Sequence, residues 1–259
     1  MADNYQRLAS AIRSAAISNW HCLTSYLRLK RTRVLLVGFL VSSIIFVTYS
    51  HVDLLIAGLF YDGGFYMAKQ TWTQLLHTSV TWFIVASLAS VIGIYLFNRF
   101  ARRNLFGFDG RKLVYVLLVL GLGAGLIVNG LLKENFGRAR PRDVVEFGGT
   151  LHFTPAFFIT SECTHNCSFS SGDAAGAFFG LAFVLASSRR RVPAAVGMGY
   201  AVLVSAARIA SGAHWFSDTV VSFFIMLIVA DALYYQMFLF SPAGIVPAPD
   251  VGPRVLVKP

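Results

Sequence analysis

The residues whose types and spacing could do chemistry fall in three short segments, each at the edge of a long apolar run. They are basic, hydroxyl, imidazole and carboxylate side chains with one glycine and one proline: Lys133, Arg140, Pro141, Ser171, Gly172, Arg208, His214 and Asp218. Fixed cations and the N-terminus of a helix bind anions, and a histidine backed by an aspartate can attack phosphorus. Together the segments predict an enzyme that holds a phosphate group and attacks it.

The first segment runs from Lys133 to Pro141 and carries two of the cations. Lys133 and Arg140 are seven residues apart, so they share a face if the stretch is helical. Pro141 would then end that helix. Two cations on one face suit a phosphate group, although an isolated pair more often only reaches up to lipid headgroups.

The second and third segments supply an anion site and an imidazole. Ser171 and Gly172 open an apolar stretch, where free backbone N–H groups and a close backbone approach favour an anion. His214 and Asp218 are four residues apart, so on a helix the carboxylate can orient the imidazole. Each pair alone is more often structural. With Arg208 six residues before His214, we interpret the third segment as catalytic.

The elements that must position these residues are membrane helices. The 259 residues are 56% hydrophobic and 13% charged, whereas a soluble domain is about 25% charged. The fold class that we predict is an all-α integral membrane bundle of about six transmembrane helices with an N-terminal interfacial helix. The expected spans are 34–50, 76–98, 113–132, 172–188, 193–211 and 219–240.

Three regions follow from this assignment. Residues 1–33 form a cytoplasmic amphipathic segment, residues 34–240 the six-span domain, and residues 241–259 a Pro-rich cytoplasmic tail. Residues 54–75 contain only a short apolar stretch, which predicts a re-entrant or surface segment. Gly172, Gly176 and Gly180 form a ridge of small residues that lets neighbouring helices approach closely.

The distribution of the cations predicts the orientation in the membrane. The net charge of +10 invites a nucleic-acid partner, but most cations lie in short loops between apolar runs, so no such partner is expected. With the N-terminus inside, 16 of the 22 Lys and Arg residues lie inside and 6 outside, as short cytoplasmic loops require. Both termini are then cytoplasmic, and the three segments converge on the outer face.

The pattern Lys133-x6-Arg140-Pro141, Ser171-Gly172 and Arg208-x5-His214-x3-Asp218 resembles the type 2 phosphatidic acid phosphatase (PAP2) superfamily over about residues 76–240. The resemblance implies a phosphohistidine mechanism without a metal or other cofactor. It makes His214 the nucleophile and Asp218 its orienting partner. The groups implied to bind the phosphoryl oxygens are Lys133, Arg140, Arg208, the Ser171 hydroxyl and the Gly172 amide.

The chain departs from this family at three positions. Ser170 stands where the family usually has Pro, Ala207 where it has Ser, and Asp173 where it has the His that acts as general acid. Asp173 is itself the acid, or the leaving group needs little help, or the chain is an inactive relative. We expect the carboxylate of Asp173 to be protonated or paired with Arg140 or Lys133 when the substrate binds.

Cys163 and Cys167 lie four residues apart in the loop before Ser171. In an oxidising periplasm they would form a disulfide that pins this loop. A zinc half-site with His165 or His152 is the alternative. The disulfide is the favoured interpretation, and no metal site is expected.

Within the superfamily, the cysteine-containing loop and Asp173 look most like bacterial lipid A phosphatases. The expected protein removes a phosphate from a membrane lipid, such as the 1-phosphate of lipid A, at the periplasmic face of a bacterial inner membrane. The alternative substrates are undecaprenyl diphosphate, phosphatidylglycerol phosphate and phosphatidic acid. A lipid phosphotransferase and a non-catalytic lipid-binding relative are the rival functions.

Overall fold

The structure is a computed structural model that describes residues 18–186 and 191–240. Its helices are α1 (18–28), α2 (Lys30–Thr48), α3 (His51–Gly58), α4 (Thr71–Ala101), α5 (Gly110–Leu118), α6 (Gly172–Phe178), α7 (Gly180–Ala186), α8 (Arg191–Ala210) and α9 (Phe216–Tyr234). Segments of π-helix, Val119–Lys133 and Tyr235–Leu239, continue α5 and α9. The described ranges contain isolated β-bridges but no strand. The predicted all-α class is confirmed.

Several helices are long and apolar enough to cross a membrane, which makes the chain a multi-pass membrane protein. Within the described residues these are Lys30–Thr48, Thr71–Ala101, Gly110–Lys133, Val192–Ala210 and Phe216–Leu239. The stretch Gly172–Ala186, which corresponds to the fourth predicted span, is apolar but shorter. The segment 54–75, predicted to be re-entrant or at the surface, contains the end of the short helix α3, a loop and the first residues of α4.

Helix α6 lies at the centre of the bundle, in contact with α4, α8, α9 and the π-helical continuation of α5. Most of its side chains are small and buried, including Ala174, Ala175 and Ala177. The glycine ridge explains the close packing: a Cβ atom at Gly176 would lie 2.8 Å from the side chain of Val80 on α4. α6 therefore needs little length, because protein surrounds it and its first turn points into the site.

The N-terminal part of the described chain is tied to the far end of α9. Tyr26 is buried against Tyr235, with ring centroids 5.4 Å apart. Arg31 forms an ion pair with Asp231 at 3.3 Å. Helix α2 begins at Lys30, one turn earlier than the expected span. The rest of the predicted interfacial helix and the Pro-rich tail lie outside the described residues, so those boundaries stay predictions.

Candidate active site

The three segments meet at one end of the bundle. Lys133 ends the π-helical continuation of α5, Ser171 precedes α6, and Arg208 lies in the last turn of α8. The charge of Lys133 interacts with those of Arg140, Arg208 and Asp173. Cations far apart in the sequence thus share one small volume, as an anion site requires.

Lys133 and Arg140 do not share a helical face, so that part of the sequence interpretation was wrong. Gly137 adopts a left-handed backbone conformation with φ +61°, and Arg140 is extended. A Cβ atom at Gly137 would overlap the carbonyl of Thr160, so the chain leaves the helix here and packs against the loop. The two cations converge through this turn.

Backbone carbonyls hold the guanidinium of Arg140. Its Nη2 donates to the carbonyl of Asn166 at 2.7 Å, and its Nη1 donates to the carbonyl of Ala213 at 3.3 Å. Burial, followed by the charges of Arg142 and Arg208, lowers the pKa of Arg140. Cations that are this crowded and partly desolvated are stabilised when a doubly charged phosphate binds between them.

His214 lies in the loop between α8 and α9, before the first residue of α9. Its Nδ1 is 2.9 Å from the carbonyl oxygen of Ser168 and 3.6 Å from Oδ2 of Asp218. A carbonyl can only accept a hydrogen bond, so Nδ1 carries the proton and Nε2 keeps its lone pair. The sequence interpretation needs correction here: the pair is not on one helical face, and the Ser168 carbonyl makes the orienting hydrogen bond.

The imidazole of His214 is almost completely buried. Burial lowers its pKa, the nearby carboxylate of Asp218 opposes that shift, and the charges of Arg140 and Arg208 add to it. A lowered pKa keeps the ring neutral at physiological pH. Neutral imidazole is the form in which Nε2 can act as a nucleophile.

Asp218 organises the start of α9 as well as the charge beside His214. Its Oδ2 accepts the backbone N–H of Trp215 at 2.9 Å and the hydroxyl of Ser168. Its Oδ1 accepts from Nη1 of Arg138 at 2.7 Å. Asp218 therefore fixes the segment that carries Ser168 and the loop that carries His214 to each other.

A buried network behind His214 was missed by the sequence analysis. Arg138 donates from Nη2 to Asp53 at 2.8 Å and from Nη1 to Ser217 at 2.8 Å. Asp53 lies on α3 and also accepts the backbone N–H of Ser217 at 2.9 Å. Arg138 falls inside the first segment, and its position two residues before Arg140 was the available signal. Nothing in the sequence pattern pointed to Asp53.

Ser171 caps α6, and its hydroxyl oxygen accepts the N–H of Ala174 at 3.2 Å. That acceptor role leaves the hydroxyl proton free to be donated to an anion. Gly172 packs against the side chain of Asn129, where a Cβ atom would come within 2.6 Å of Oδ1. A larger residue here would therefore displace the first turn of α6.

Asp173 is paired differently from the expectation. Its Oδ2 is 2.9 Å from Nε of Arg208, and its Oδ1 is 3.3 Å from Nδ1 of His77 on α4. The expected contacts with Lys133 and Arg140 are electrostatic interactions at longer range. His77 belongs to none of the three segments, and the sequence analysis did not single it out.

The sequence profile of the PAP2 superfamily matches residues 113–241. A lipid A 4′-phosphatase of Francisella tularensis subsp. novicida is 31% identical over 206 residues, which are 75% of this chain and 90% of that protein. The chain belongs to the PAP2 superfamily.

Two lipid A 4′-phosphatases from Rhizobium extend this comparison. The protein of Rhizobium leguminosarum is 41% identical over 125 residues, which are 48% of this chain and 54% of the relative. That of Rhizobium etli is 41% identical over 126 residues, 48% of this chain and 49% of the relative. This chain thus matches about half the length of each Rhizobium protein. No solved structure shows a significant match. The PAP2 family and these relatives support a phosphatase.

The loop between the first two PAP2 segments contains a disulfide between Cys163 and Cys167, whose Cα atoms are 5.6 Å apart. Arg140 contacts the carbonyl of Asn166 inside this small ring, so the disulfide stiffens a contact that orients the guanidinium of Arg140. Across residues 18–186 and 191–240, no cluster of three or more His, Cys, Asp or Glu side chains could hold a metal ion.

A cavity of about 570 Å³, lined by both polar and aromatic side chains, adjoins the PAP2 site. Its walls include Lys69, Arg142, Tyr61, Tyr66, Phe147 and Ser211. Arg142 interacts electrostatically with both Arg140 and Arg208, and the hydroxyl of Ser211 donates to the carbonyl of Arg208. The cavity therefore lies beside the cation cluster, and its wall combines positive charge with aromatic rings.

Proposed function

We propose that the chain hydrolyses a phosphate monoester of a membrane lipid through a phosphohistidine formed on His214. One observation carries this proposal: Nδ1 of the buried His214 donates to the Ser168 carbonyl, which leaves the Nε2 lone pair available. Lys133, Arg140 and Arg208 supply the positive charge that the PAP2 pattern requires around the phosphate.

In the first step, Nε2 of His214 forms a bond to phosphorus while the bond from phosphorus to the lipid oxygen breaks. The cation cluster stabilises the charge on the phosphoryl oxygens in the transition state. The imidazole becomes positively charged, and Asp218 at 3.6 Å stabilises that charge. In the second step, water attacks phosphorus, the N–P bond breaks and its electron pair returns to the ring, which releases inorganic phosphate.

We propose lipid A as the substrate and its 4′-phosphate as the scissile group. Three relatives bear the name lipid A 4′-phosphatase, which favours the 4′-position over the 1-position expected from the sequence. The cavity beside the site favours a substrate with a large sugar headgroup. Tyr61 and Tyr66 offer ring faces on which sugars can pack, and Lys69 and Arg142 can bind further anionic groups.

We propose further that the site faces the periplasm and that the membrane is the bacterial inner membrane. Support comes from the charges of the loops: Arg102, Arg103, Arg111 and Lys112 lie at the end of α4 and the start of α5, at the opposite end of the bundle from His214. An excess of Lys and Arg marks the cytoplasmic side.

The test is a panel assay on purified protein in detergent. Lipid A, undecaprenyl diphosphate, phosphatidylglycerol phosphate and phosphatidic acid are supplied separately, and mass spectrometry shows which phosphate of lipid A is lost. We expect release of the 4′-phosphate, its absence in His214→Ala, and normal release in the exposed control His152→Ala.

The rival functions give different outcomes in the same assay. A phosphotransferase would move label from radiolabelled lipid A to an acceptor lipid in place of water. A binding protein would retain lipid A without releasing phosphate. Phosphate release by His214→Ala at a rate within tenfold of the wild type would refute the phosphohistidine mechanism.

A further inference from the structure

Helix α4 contributes a histidine to the phosphate site, although α4 carries none of the PAP2 segments. Nδ1 of His77 is 3.3 Å from Oδ1 of Asp173. The other carboxylate oxygen of Asp173 is 2.9 Å from Nε of Arg208, one of the phosphate-binding cations. A single carboxylate thus connects His77 to the phosphate site.

The ion pair with Arg208 argues against Asp173 as the proton donor. A carboxylate that is paired with a guanidinium carries no proton that it can give to a leaving group. Its second oxygen faces an imidazole, which can carry a proton and be oriented by the carboxylate. His77 on α4 is therefore better suited than Asp173 to carry the proton.

We propose that His77 is the general acid of this enzyme and that Asp173 is its positioning residue. This inference rests on the proposed function and deepens it. Since Nδ1 of His77 faces Asp173, Nε2 is the nitrogen from which the proton leaves. The side chain of His77 is 46% exposed at the rim of the site, so it can exchange protons with water. His214 is almost completely buried and is shielded from such exchange.

The proton balance closes over the two steps. In the first step, Nε2 of His214 bonds to phosphorus, the phosphorus–oxygen bond to the lipid breaks, and cationic His77 protonates the departing oxygen to give an alcohol. In the second step, water attacks phosphorus as the N–P bond breaks, and both of its protons leave with the phosphate, which gives one of them to the solvent. Exposed His77 regains its own proton from the solvent. The net reaction converts a phosphate monoester and water into an alcohol and inorganic phosphate, and His77 ends in its starting form.

The leaving group decides how much this proton matters. The 4′-oxygen of a sugar is an alkoxide if it departs without a proton, and alkoxides are poor leaving groups. A phenolate with electron-withdrawing substituents departs without a proton. A general acid typically contributes about 10²–10⁴-fold, and that contribution is expected only for the sugar phosphate.

The experiment compares two substrates, lipid A and 4-nitrophenyl phosphate, in four proteins: wild type, His77→Asn, Asp173→Asn and the exposed control His152→Asn. We expect His77→Asn to slow 4′-phosphate release from lipid A by about 10²-fold or more. The rate with 4-nitrophenyl phosphate should stay within about fivefold of the wild type, which also shows that the variant is folded. Asp173→Asn should slow 4′-phosphate release from lipid A by a smaller factor than His77→Asn, and His152→Asn should match the wild type on both substrates.

Two outcomes would overturn the inference. Equal losses of His77→Asn on both substrates would show that His77 does not act on the leaving oxygen. Wild-type rates of His77→Asn on both substrates would show that it takes no part in the reaction. Failure of the wild type to release phosphate from either substrate would instead overturn the proposed function.

Discussion

Arg138 and Asp218 form a fully buried ion pair, with Nη1 of Arg138 2.7 Å from Oδ1 of Asp218. The same guanidinium is paired with Asp53 at 2.8 Å and stacks over the rings of Phe153 and Trp215. Negative, positive and negative charges therefore alternate from α3 towards His214. The carboxylate beside His214 is held by a network that begins on a helix outside the PAP2 segments.

The first prediction tests this network through Asp53. Asp53→Asn should lower the free energy of unfolding by about 3 kcal/mol, because removing one partner leaves part of a buried charge uncompensated. Denaturation in detergent measures the change, and Asp62→Asn, an exposed aspartate in the loop after α3, is the matched control. Equal stability of the two variants would mean that Asp53 contributes no more than a surface carboxylate.

The second prediction concerns the pH dependence of the first step. Burial, together with the charges of Arg140 and Arg208, lowers the pKa of His214 below its usual value of 6.5. In the folded protein the ring therefore gains its proton only below pH 6.5. At these lower pH values the protonated ring can no longer attack phosphorus. With 4-nitrophenyl phosphate, whose leaving group needs no proton from His77, the profile of kcat/KM should stay high as the pH falls to 6.5 and decline at lower values.

A variant of Asp218 distinguishes the titration of His214 from the ionisation of the substrate. Asp218 raises the pKa of His214, so the residual activity of Asp218→Asn should decline at a still lower pH than that of the wild type. The substrate ionises identically in both assays, and the difference therefore belongs to the protein. A shift of the acid limb to higher pH in Asp218→Asn would contradict the electrostatic account of this site.

The third prediction is that turnover survives chelation. In the proposed mechanism, Lys133, Arg140 and Arg208 supply the charge that other phosphatases obtain from metal ions. Activity on lipid A should remain within about twofold after dialysis against EDTA, with a zinc-dependent phosphatase treated in parallel as the control. Loss of activity that Mg²⁺ or Zn²⁺ restores would disprove metal independence.

The fourth prediction tests on which side of the membrane the site lies. Glu146→Cys introduces an exposed thiol in the loop near the site, and Asn104→Cys introduces one in the loop between α4 and α5. Both are made with Cys22→Ser, because Cys163 and Cys167 are already bonded to each other. An impermeant maleimide should label the cysteine at position 146 in intact spheroplasts, and the one at position 104 only after lysis. The opposite pattern would move the site to the cytoplasmic leaflet.

The sequence alone determined the class of the protein and most of its long helices, and it predicted a set of phosphate-binding residues. Hydropathy and motif spacing are local properties, and a long apolar run predicts a membrane helix whatever its later neighbours are. The ends of the spans are also local, because charged residues are costly in the apolar region and concentrate at its edges. For this reason Lys133, Arg208 and Asp218 could be assigned to one end of the bundle.

Only the tertiary structure decided how the side chains are paired. The Ser168 carbonyl that orients His214 is 46 residues away in the sequence, and Asp53 is 85 residues from Arg138. His77 reaches Asp173 from another helix. These contacts depend on which faces of α3, α4 and α9 turn towards each other, and that choice is made by packing across the whole bundle. A local pattern cannot encode it, and the helical assumption for Lys133 and Arg140 failed because the turn at Gly137 is stabilised by contact with the distant carbonyl-bearing loop at Thr160.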